Sequence, residues 1–131
     1  MELNERLDLL IRILDPEDYR YIGAHDLRAE AQFRRERLRI YRSGLRELSS
    51  GIVRSYQARL ANMNAAGQWT AYPRLAWSTA ATLMAIGKLW MAGSMFRFRL
   101  PLLVNVAAQR DRLQRFLTVE TPSAEPGTQP F

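Results

Sequence analysis

The chain has 131 residues, enough for one domain with a modest core. Hydrophobic residues make up 47% and charged residues 24%, which argues against a wholly disordered chain, and the lack of cysteine excludes disulfides, thiolate catalysis and cysteine-ligated metals. The net charge of +6 is unevenly spread: residues 1–30 carry −4, residues 31–119 carry +12 and residues 120–131 carry −2.

The first residues, MELNERLDLL, are acidic early and lack a basic leader, so the chain reads as intracellular. Leu3, Leu7, Leu10 and Leu14 recur every three or four residues and predict a helix over roughly residues 2–14. Asp15-Pro16 ends it. The same dipeptide suits the start of a short second piece, with Asp15 as cap, Pro16 in the first turn and Gly23 as the stop.

A long helix is predicted over about residues 26–65, opening on Asp26 as N-cap. No proline occurs from there to Tyr72. Its apolar seam begins at Leu27 and Ala31, skips Arg34, and runs through Leu38, Tyr41, Leu45, Leu48, Ile52, Tyr56, Leu60 and Met63. That is a packing seam of roughly 60 Å. Gly44 and Gly51 each cost about 1 kcal/mol relative to alanine inside a helix, so Ser49-Ser50-Gly51 is where the helix is most open to a bend or break, and Asn62–Gly67 reads as a frayed end and turn.

Pro73 suits the first turn of a third helix. Residues 75–96 are apolar nearly all round, with Lys88 their one charge, and predict the most buried helix of the domain. Pro101 then breaks the chain, and a last helix carries Leu103, Val106, Leu113 and Leu117. No strand pattern competes; Met95–Leu100 alternates apolar and basic residues but has no pairing partner. The fold class is therefore all-α: a bundle of three long helices plus a short N-terminal one, forming a single domain over residues 1–119. Residues 120–131, rich in Pro, Gly and small polar residues, read as a disordered tail.

The residues offer little for catalysis. His25 is the sole histidine and has no second ligand for a metal. Phosphate-loop, nucleophile-elbow and HExxH patterns are absent, so neither cofactor, metal nor small-molecule substrate is inferred and the chain reads as non-enzymatic. The sharper pattern lies on the long helix. Arg28, Arg35, Arg39, Arg42 and Arg46 fall within an arc of about 60° over about 27 Å, along one flank of the seam. Eighteen of the nineteen bases are arginine, and no Asp or Glu occurs between Leu48 and Arg110. Guanidinium groups favour carboxylate and phosphate, although a GC-rich genome also enriches arginine.

The stripe and seam together predict an interaction or assembly protein, probing either a protein partner or a second copy in a homo-oligomer. The stripe's first candidate is the chain's own Glu2, Glu5 and Asp8. Sequence-nonspecific nucleic-acid binding through phosphates is the alternative. A further one is peripheral or integral association with an anionic membrane, with Trp77, Trp90, Phe96 and Phe98 beside Lys88, Arg97 and Arg99 at the interface and residues 75–96 long enough to span a bilayer, although Lys88 near their middle favours a buried soluble helix.

Overall fold

In the computed structural model four α-helices follow one another, and no strand occurs among the described residues, which are 3–14, 27–98 and 100–119. Helix α1 spans Leu3–Arg12, α2 Leu27–Ala66, α3 Tyr72–Arg97 and α4 Val106–Val119. A 3₁₀ turn, Trp69–Ala71, joins α2 to α3. The all-α bundle and its one long helix are as the periodicity predicts. The expectations for Asp15, Pro16, Gly23, His25, Asp26 and the tail from residue 120 fall outside the described residues.

Helix α2 runs forty residues, about 60 Å, and continues through Ser49–Gly51 without a break. Gly51 is held by its neighbours: Leu48 and Ile52 are buried, and Leu117 of α4 lies within contact distance of a Cβ placed there. Tertiary burial on both sides of the glycine outweighs its weak helix propensity. The turn expected near Gly67 is present, but the helix end before it is closed rather than frayed. Gly67 takes φ +69°, the Gln68 N–H donates to the Met63 carbonyl at 2.9 Å, and the Gly67 N–H to Asn64 at 3.3 Å. This pair of bonds satisfies carbonyls that a frayed end would leave to water.

The chain then reverses, with Pro73 in the first turn of α3, where its missing N–H costs nothing. Helix α4 starts later than the spacing suggested. The Asn105 side chain accepts from the Ala108 N–H at 3.1 Å, which caps the helix there, so Leu103 precedes it and is 82% exposed. Of the alternating stretch Met95–Leu100, the first three residues belong to α3, which continues through Arg97.

The core lies where α2, α3 and α4 meet. Leu38, Tyr41, Leu45 and Ile52 of α2 pack with Leu89, Ala92 and Phe96 of α3 and with Leu113 and Phe116 of α4. Leu7, Ile13 and Leu14 close one side of it. Two glycines set the approach of the helices. A methyl on Gly93 would lie 2.8 Å from Leu38 and 3.1 Å from the Tyr41 ring, and one on Gly44 would overlap Leu10 of α1.

Helix α3 has the largest share of buried residues of the four helices, as its composition predicts, but it is covered on one side only. Leu75, Thr79, Thr82, Ala85, Leu89, Ala92, Gly93 and Phe96 form one buried face. The opposite face leaves Trp77 77%, Met84 64% and Met91 56% exposed. The cause is a shortage of partners. Helix α3 packs on α2 and α4, whereas α1 packs on α4 and α2, so nothing among the described residues covers its outer side. No helix of the described residues is long and apolar enough to cross a membrane.

Candidate functional site

The five stripe arginines do not share one environment. Arg35, Arg39 and Arg46 are exposed, as is Arg28, which has a partner of its own. Arg42 is half-buried and reaches across to α3. Its Nη2 donates to Ser94 Oγ at 3.0 Å, and its guanidinium lies 4.8 Å from the centroid of the Trp90 ring. Arg46 sits over the same ring at 5.6 Å. Each such stack contributes about 0.5–1 kcal/mol near a surface. The lower half of the stripe is thereby fastened to α3, and the upper half stands in solvent.

The chain's own N-terminal acids do not neutralise the stripe among the described residues. Asp8 Oδ1 lies 2.7 Å from Arg110 Nε of α4, an ion-pair contact without hydrogen-bond alignment. Glu5 is exposed, and Glu2 is outside the described residues. The pairing between α1 and α2 runs the other way round, from Arg6 to Glu47 at 3.2 Å.

The seam residues Leu38, Tyr41, Leu45, Leu48, Ile52 and Met63 are buried, and Tyr56 and Leu60 are half-buried. Ala31, at the head of the seam, is exposed. Arg34, the position where the apolar series skips, belongs to the buried face after all. Its Nε donates to Glu30 Oε1 at 3.1 Å, its Nη1 donates to the Phe96 carbonyl at 3.1 Å, and the guanidinium stacks 4.5 Å from the Phe96 ring. Glu30 itself is only 5% exposed. Glutamate four residues before arginine is the favourable helical order, and that spacing was the available signal for this pair. A second interior polar bond joins the Tyr41 hydroxyl to the Leu89 carbonyl at 2.7 Å, and burial holds the Tyr41 phenol far above its ordinary range.

The residues grouped as a membrane interface are split by the fold. Trp77, Lys88, Arg97 and Phe98 are exposed. Phe96 is buried in the core and Trp90 is half-buried under Arg42 and Arg46, so neither presents a ring to an outside surface. Arg99 lies outside the described residues.

What remains open is a strip on the outer side of α3. Trp77, Ala80, Met84, Gly87 and Met91 are all exposed and follow one another at three- and four-residue steps. Lys88 is the single charge beside them, and a Cβ on Gly87 would meet nothing within 4 Å. Trp90 and Ser94, on the flank of this strip, carry Arg42 and Arg46 over from α2. Two arginines of the stripe, Arg42 and Arg46, therefore border the strip.

A separate cleft of about 580 Å³ lies between α1 and α2, with Leu9 and Ile40 half-exposed on its walls and Arg39 and the Arg6–Glu47 pair at its rim. Its polar groups among the described residues are Arg6, Arg39, Ser43 and Glu47, the last paired with Arg6. Among the described residues no group of three or more His, Asp or Glu is placed to hold a metal ion. Comparison of the chain with protein-family models, with characterised proteins and with solved structures returns no match.

Proposed function

We propose that the protein is a non-enzymatic docking module that receives an acidic amphipathic helix of a partner protein on the outer side of α3 and the adjoining arginines of α2. The observation that carries this reading is the strip Trp77–Met84–Met91, exposed along one side of a well-packed helix. Large aromatic and methionine side chains bordered by arginine are the composition of interface centres. The choice of occupant rests on charge. The strip lies wholly within the span from Leu48 to Arg110 that contains no acid, and Lys88, Arg42 and Arg46 border it. A partner helix with carboxylates flanking an apolar face would neutralise these cations and cover the strip at once. A second copy of the chain would set one acid-free face against another, which disfavours a symmetric pair.

The test is hydroxyl-radical footprinting in native cells and on the purified protein, with light scattering on the latter. Protection of Trp77, Met84 and Met91 in cells, equal labelling of Trp69 in both settings and a monomeric mass when purified are the expected outcome. Equal labelling of the strip in both settings would reject the docking reading. A dimer that dissociates on Met84→Asp would keep the strip as an interface but assign it to a second copy.

A further inference from the structure

The connection from α3 to α4 leaves Phe98, Leu100, Leu102 and Leu103 exposed, Leu103 most of all. Connections are ordinarily polar, and several large apolar side chains brought out on one short connection mark a contact surface. These residues are not exposed for want of structure. On the α3 side the Phe98 N–H donates to the Ser94 carbonyl at 3.2 Å and the Leu100 N–H to the Met95 carbonyl at 2.8 Å, which closes the helix end. On the α4 side the Asn105 side chain caps the next helix. Between them Val104 packs against the core, so the loop is pegged by one side chain while its neighbours Leu102 and Leu103 stay outside.

Of the residues that the sequence groups as a membrane interface, Arg97 and Phe98 stand here, and Leu100, Leu102 and Leu103 join them. Arg97 is exposed, and its guanidinium lies 5.4 Å from the centroid of the Phe98 ring. A second arginine, Arg99, falls between Phe98 and Leu100 in the sequence. Apolar side chains beside a guanidinium match the boundary between lipid headgroups and acyl chains: leucine and phenylalanine enter the apolar layer, and arginine stays with the phosphates. A partner helix lies along a groove or an extended row of side chains, for which this connection is too short. We propose that Phe98, Leu100, Leu102 and Leu103 insert into an anionic lipid surface, with Arg97 at the headgroups. A few apolar side chains alone bind a bilayer only marginally, so the cation makes the contact selective for anionic lipid. This contact lies at the end of α3, whereas the docking strip runs along its side, so neither depends on the other.

The test is flotation of the full chain with vesicles of phosphatidylcholine alone or of phosphatidylcholine mixed with phosphatidylserine. Flotation with the mixed vesicles, and much less with the neutral ones, is expected. A Leu102→Ser/Leu103→Ser variant, of unchanged net charge and checked for unchanged helicity, should bind the mixed vesicles at least about tenfold more weakly. The chain has no cysteine, so Leu103→Cys offers a single site for a polarity-sensitive fluorophore. Its emission should shift to the blue on the mixed vesicles, while the same label on Met84→Cys keeps its aqueous emission. Absence of flotation overturns the insertion. Flotation that persists in the serine variant, with unshifted emission at position 103, replaces it by bulk charge. An equal shift at position 84 rejects it by laying the side of α3 on the lipid. By light scattering, a mass above the monomer that returns to the monomer in the serine variant would assign the loop to a second copy instead.

Discussion

Glycine residues inside the helices separate two kinds of position. At Gly93 the space for a methyl is already taken by Leu38 and the fully buried Tyr41 ring. Gly93→Ala is expected to destabilise the fold by about 1–3 kcal/mol, because the ring cannot retreat. At Gly87 the same methyl meets open space, and Gly87→Ala should stabilise the isolated protein by about 0.5–1 kcal/mol through helix propensity alone. Chemical denaturation of the two variants checks both signs. Tyr41 gives a pH dependence. Burial raises its phenol pKa above the ordinary value of 10.0, so folding favours the neutral ring. That contribution is complete below about pH 10 and is lost as the pH climbs through the alkaline range. Tyr41→Phe removes the hydrogen bond to Leu89, at about 1 kcal/mol near neutrality, yet its stability should fall less steeply than the parent's between about pH 9 and 12. An equally steep fall in the variant would show that another group governs alkaline unfolding.

At the scale of elements, adjacent residues of α3 make opposite demands. Met84 faces outward and Ala85 is wholly buried. Met84→Asp is expected to leave stability within about 0.5 kcal/mol of the parent, whereas Ala85→Asp, which buries an unpaired carboxylate, should cost more than about 4 kcal/mol. Circular dichroism melting curves of the pair separate the two cases. The same helix marks where reading by periodicity stops. A segment apolar on every side, such as 75–96, says that it is helical but not which side is covered, because the pattern carries no polar face to orient it. Helix α2 has such a face, and its leucines from Leu38 to Leu48 could be placed on the core from spacing alone. Arg34 was passed over for the complementary reason: an arginine at a seam position looks like an interruption until Glu30 and Phe96 are brought to it from a neighbouring turn and a second helix.

At the scale of the whole molecule, the charges that pair among the described residues do so mostly at the surface. The ion pairs among the described residues join Arg6 to Glu47, Arg34 to Glu30, and Arg110 to Asp8 and Asp111, and apart from Arg34–Glu30 each has a partner that is largely exposed. Exposed pairs contribute little, commonly below about 1 kcal/mol, so added salt should lower stability only slightly while it weakens any partner bound through the arginines. The long helix also sets the outer dimensions. A compact chain of this length has a radius of gyration of about 14 Å, and a forty-residue helix of about 60 Å cannot be held within such a sphere. Small-angle scattering should therefore give a larger value, and one near 14 Å would mean that α2 is broken in solution. A rod of this kind also tumbles unequally about its axes. The N–H vectors of α2 lie along the rod and feel only its slow end-over-end rotation, so their nitrogen relaxation should report a longer correlation time than that of amides pointing across it.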